Sequence, residues 1–74
     1  MTETEILLNT VGKVKEFVFR IVEYPCDCDI QSGTYVIDAK SIMGIFSLNL
    51  SKPVRLIIHE DNADLSRISE FIVS

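Results

Sequence analysis

Lys40-Ser41-Ile42-Met43-Gly44-Ile45-Phe46-Ser47-Leu48 is the stretch on which the fold of this chain turns. Ser41 can cap a short helix over roughly 41–48, ending before Asn49. Ile42, Met43, Ile45, Phe46 and Leu48 leave almost no polar face in about two turns. A helix lying on a sheet buries one stripe, and Ile45 with Leu48 fits that role. Ile42, Met43 and Phe46 then stay at least partly exposed, rimmed by Lys40, Ser41 and Ser47. An exposed methionine and aromatic cluster on a small domain suggests a docking surface. The alternative is that the helix tilts and the loop at Asn49–Ser51 covers these side chains.

The flanking segments supply the layers around this helix. Before it, Cys26, Cys28 and Ile30 alternate with Asp27, Asp29 and Gln31, which predicts a strand with one buried face. Ser32-Gly33 supplies a turn, and Thr34–Asp38 reads as the return strand of a hairpin. After it, Lys52-Pro53 opens a strand from Val54 to Glu60, with Val54, Leu56 and Ile58 inward. Asp61 or Asn62 is then expected to cap a helix through about Val73, with Leu65, Ile68 and Ile72 on its inner stripe.

Nearer the start, residues 5–9 read as a short strand. From Thr10 the period changes: Val11, Val14, Val18, Ile21 and Val22 fall on one helical stripe, and Tyr24-Pro25 stops the run. Asn9 or Thr10 can cap this helix, and Glu16 with Arg20 is a favourable i,i+4 pair. The order is β-α-β-β-α-β-α. Three helices on one face of a four-stranded, mostly antiparallel sheet make an open-faced α+β sandwich.

Composition narrows the function. Seventy-four residues, 47% hydrophobic and 24% charged, suit one folded domain spanning 1–74. A net charge of −4, with no basic tract longer than Lys13-Val14-Lys15, argues against nucleic acid or an anionic membrane as partner. The polar, acidic opening Met1-Thr-Glu-Thr-Glu is unlike an ordinary signal peptide, and no apolar run is long enough to span a bilayer. A cytoplasmic protein is expected.

One histidine and two cysteines leave little for a metal or cofactor, and none is expected. In an extended segment Cys26 and Cys28 would have Cα atoms roughly 6.5–7 Å apart, at the outer limit of disulfide geometry. Both are read as reduced, apolar packing residues on the Ile30 face. His59 alternates to the outer side of its strand and reads as a surface residue. Glu60, Asp61 and Asp64 are placed to favour the start of the last helix.

The element order, with Lys40-Ser41-Ile42-Met43-Gly44 at the start of the second helix, resembles the HPr family, the phosphocarrier proteins of the bacterial sugar phosphotransferase system. The resemblance runs from about Thr10 to the end, with the first strand and the following loop shortened. It implies the HPr fold and a protein partner: a phosphotransferase-system enzyme, an HPr-type kinase or a transcription regulator. Family members carry a phosphorylatable His, then an Arg and a Pro, at the start of the first helix. Here those positions fall at about Thr10, Gly12 and Lys13, and the lone histidine, His59, is far along the chain.

An imidazole nitrogen takes and returns a phosphoryl group at modest cost, whereas a threonine ester is a far more stable sink. The resemblance without its histidine therefore implies a non-catalytic interaction or regulatory module, similar in this respect to catabolite-repression HPr. It also marks Ser41 as the family's regulatory phosphoserine, and Lys40, Ile42, Met43 and Phe46 as the partner-binding patch. Two alternatives stand beside this: a phosphocarrier with an unusual acceptor such as Thr10, and an HPr fold repurposed for another partner.

Overall fold

Residues 1–73 are described by a computed structural model, and their elements follow the expected order. They are β1 (Thr2–Ile6), α1 (Val11–Ile21), β2 (Cys28–Ser32), β3 (Tyr35–Asp38), α2 (Ile42–Phe46), β4 (Val54–Ile58) and a 3₁₀ helix (Ser66–Phe71). The sheet order is β1-β4-β2-β3, and every pairing is antiparallel. Alternation along the strands sends Ile6, Cys28, Ile30, Val54, Leu56 and Ile58 to one face. Val14, Phe17 and Ile21 of α1, Ile45 of α2, and Ile68 and Phe71 of the 3₁₀ helix meet them there. Each such side chain contributes roughly 1.5–3 kcal/mol by leaving water. No polar or charged side chain is buried among the described residues.

The hairpin turns at Gly33, whose φ of 61° lies in the left-handed region that glycine favours. Gly44 carries no such requirement, since a Cβ there would make ordinary contacts, 3.4 Å from Ser41 Oγ and 3.5 Å from Ile37 Cδ1.

Several boundaries differ from the sequence expectation, each for a traceable reason. The first strand lies at Thr2–Ile6 instead of 5–9. Its ladder with β4 ends at the Ile6–Val54 pair, beside Pro53, which has no N–H to offer. Leu7 N–H turns instead to the Phe71 carbonyl, and Val73 N–H to Glu5. β2 starts at Cys28, so Cys26 is half-buried outside the strand. β4 stops at Ile58, and α2 spans Ile42–Phe46 with Ser41 as its cap.

The α-helix expected from residue 61 or 62 to 73 is a 3₁₀ helix over Ser66–Phe71. The backbone that would start it is taken: Ala63 N–H donates to Thr2 Oγ1, and the Tyr24 hydroxyl donates to the Asp64 carbonyl. Asn62 turns through φ 55°, a conformation asparagine tolerates. Asp61 consequently pairs with the terminal ammonium, and Asp64 Oδ1 accepts from Ser66 N–H, which lowers its pKa. Neither carboxylate serves an α-helix start.

α1 is turned differently from its expected stripe. Val14 and Ile21 are buried as read, but Phe17 joins them while Val11 and Val22 are exposed. Burial of the large Phe17 side chain outweighs that of Val11 and Val22, and the charged flank is compatible with this rotation. Glu16 and Arg20 pair along α1, and Arg20 and Glu23 reach Glu70 and Arg67 on the 3₁₀ helix. Phe17 and Phe71 pack edge to face beneath these pairs, with ring centroids 5.7 Å apart.

Candidate functional site

Ser41 sits in extended conformation at the start of α2, and its Oγ accepts from Gly44 N–H at 3.3 Å. Ile45 is the one fully buried residue of the helix, while Ile42 is half-buried. Met43 is 77% exposed and Phe46 41% exposed. The loop at 49–51 does not cover Met43. Its Asn49 side chain is engaged with Ser51 instead. The Ser41 hydroxyl and the exposed Met43 and Phe46 therefore lie on one short helix, with Ser47 bonded back to the Gly44 carbonyl at its far end.

Lys40, expected on the rim of this patch, is turned inward. Its ammonium donates to the carbonyls of Tyr24 at 2.6 Å and Cys26 at 2.8 Å. It is a structural tie in this conformation and does not project beside Met43.

Thr10 caps α1, accepting from Lys13 N–H at 3.1 Å. The first turn carries no acidic residue, so the positive end of α1 is left without a carboxylate. Thr10, Val11, Gly12 and Lys13 are all exposed. No imidazole is near this end in sequence, since His59 follows β4 and contacts Asp29 through Nε2 at 2.7 Å.

The crystal structure of HPr-C-His from Thermoanaerobacter tengcongensis matches this architecture with a TM-score of 0.74. Sequence identity is 25%, over 93% of this chain and 84% of that one. The fold is HPr-like. No family model matches the chain, and no curated protein matches it.

An HPr-like sheet leaves one face uncovered, and here that face gathers Asp27, Asp29, Asp38 and His59 around a shallow depression of about 390 Å³. Cys28 also lines it, but its side chain is buried on the opposite, core face of the sheet and offers no nucleophile there. Burial, with Cys26 adding to it, pushes its thiol up to about 12, against a smaller opposing pull from Lys40. Almost no thiolate forms at neutral pH. In the folded protein iodoacetamide is therefore expected to modify Cys26 and spare Cys28, with both reacting once the chain is unfolded. Peptide mapping of labelled cysteines reads this directly, and fast native labelling of Cys28 would contradict it. Among the described residues no group of three His, Cys, Asp or Glu is placed to hold a metal ion. No helix among them is long and apolar enough to cross a membrane.

One feature of the HPr-like surface escaped the sequence reading. Phe19 is 69% exposed on α1, in the same sector as Val11, Lys15 and Val22. At 100° per residue these positions share one stripe, on the flank away from the ion pairs with the 3₁₀ helix. The spacing was visible, but assigning Val11 and Val22 to the core hid it.

Proposed function

We propose that this chain is a non-catalytic, HPr-type interaction and regulatory module of sugar phosphotransfer or carbon-catabolite control, acting in the cytoplasm. It binds protein partners through Ile42, Met43 and Phe46, and Ser41 is its regulatory phosphoacceptor. The partners are an HPr-type kinase and a phosphotransferase-system enzyme or transcription regulator. The observation that carries the reading is the juxtaposition on α2 of a capping hydroxyl with an uncovered methionine and phenylalanine. A phosphate on Ser41 would accept from the first-turn N–H groups and place about −1.5 to −2 charges at the edge of the apolar patch. Docking could thus be switched without changing the fold.

Incubation with an HPr-type kinase and ATP is expected to add a single phosphate by intact mass, and Ser41→Ala to abolish it. That substitution also removes a helix cap, at a cost of about 1 kcal/mol, so circular dichroism must show the variant folded. Wild type that takes no phosphate sinks the regulatory reading.

A second reading has one observation in its favour, the carboxylate-free N-terminus of α1 with Thr10 and Lys13. Phosphoenolpyruvate with the system's first enzyme would then load a transferable phosphate on this chain. No transferable phosphate excludes it.

A further inference from the structure

We propose that Lys40 is a releasable tie between α2 and the α1–β2 connection, and that a phosphate on Ser41 draws its ammonium away and loosens residues 24–28. The inference rests on reading Ser41 as a phosphoacceptor, and it names what the phosphate does inside the molecule.

The connection from Val22 to Asp27 has no regular structure, so its order depends on individual hydrogen bonds. Tyr24 N–H bonds to the Ile21 carbonyl, and the Tyr24 hydroxyl anchors on Asp64. The Asp27 carbonyl takes His59 N–H. Glu23 N–H bonds to the Arg20 carbonyl and its carboxylate pairs with Arg67, and the Cys28 thiol makes a weak bond to the Cys26 carbonyl at 3.7 Å. Two further bonds come from one group, the Lys40 ammonium, which spans the carbonyls on either side of Pro25.

The backbone of Lys40 is fixed independently of its side chain. Its N–H donates to Asp38 Oδ1 at 2.9 Å, and Ser41 N–H donates to the Asp38 carbonyl at 3.0 Å. The flexible stem can therefore swing without disturbing the cap of α2. Neutral carbonyls are weaker partners for an ammonium than a doubly charged phosphate on the adjacent residue. The Asp38 carboxylate would repel that phosphate, which strengthens the demand for a cation beside it. Lys40 is the basic residue directly adjoining Ser41 in the chain. Once the ammonium leaves, the Tyr24 carbonyl loses its protein donor, the Cys26 carbonyl keeps only the weak Cys28 thiol, and the connection opens to water.

Cys26 and Cys28 lie in and beside this connection and report on it. The test compares wild type, Lys40→Met, Lys40→Arg and a protein carrying genetically encoded phosphoserine at position 41. The readouts are thiol alkylation rates and amide hydrogen exchange over residues 24–28. Lys40→Met is expected to raise both by about tenfold, the scale set by losing charged hydrogen bonds. Lys40→Arg, which keeps a cationic donor, should stay near wild type. The phosphoserine protein should match Lys40→Met, and adding Lys40→Met to it should give no further increase.

Wild-type rates in Lys40→Met overturn the tie. Wild-type rates in the phosphoserine protein overturn the release, whatever the kinase does. Should Lys40→Met fail to fold, wild type against phosphoserine protein still decides the question. Absence of kinase-added phosphate sinks only the assignment of Ser41, because the encoded phosphoserine bypasses the kinase.

Discussion

Phe17→Ala is expected to remove about 3–5 kcal/mol of folding stability. A chain of this length has a total of only about 4–11 kcal/mol to lose, at the usual value per residue. Much of the variant should therefore be unfolded in buffer, read as a collapsed or missing transition in urea followed by circular dichroism. Phe17 is fully buried and stands edge-on against Phe71 at 87°. Truncating it leaves a cavity under both α1 and the 3₁₀ helix. The rest of the helix cannot close this gap, because Val14 and Ile21 already pack on the sheet. Phe17→Leu refills most of the volume and should cost clearly less. An alanine variant within about 1 kcal/mol of wild type would mean that Phe17 does not seat the helices.

Met43→Asp should show the opposite profile. Met43 is mostly exposed, so stability should stay within about 0.5 kcal/mol of wild type, the usual range for surface changes. Binding to the proposed HPr-type kinase partner should fall by roughly 30-fold or more, the loss of a central apolar anchor. Titration calorimetry with the HPr-type kinase, alongside a thermal melt, separates the two effects. Unchanged affinity at unchanged stability would remove Met43 from the interface. A large loss of stability would instead place it in the core.

Much of the fold was legible because strand alternation and the Ser41 cap are local signals. Val54, Leu56 and Ile58 alternate as they pack, and the hairpin turns at Gly33-Thr34, one residue beyond the expected Ser32-Gly33. The last helix was not legible. Its expected start is undone by Thr2 and Tyr24, residues distant in sequence that claim the backbone of Ala63 and Asp64. The rotation of α1 was missed for a related reason, since valine periodicity alone cannot reveal that Phe17 packs against the distant Phe71.

The candidate site divides the same way. Ser41, Met43 and Phe46 could be placed from α2 itself. The inward turn of Lys40 depends on the carbonyls of Tyr24 and Cys26, which no local pattern points to.

The position of β4 has a consequence for synthesis. It lies between β1 and β2, pairing Thr2 and Cys28 to the same Ile58. A nascent chain leaving the ribosome therefore has β1 without a neighbour until residues 54–58 emerge. Before then the β2–β3 hairpin is the largest piece of sheet available, and an isolated hairpin is marginal in water. Sheet assembly waits for nearly the whole chain, so a stalled or truncated product should be unfolded and open to proteolysis rather than partly built.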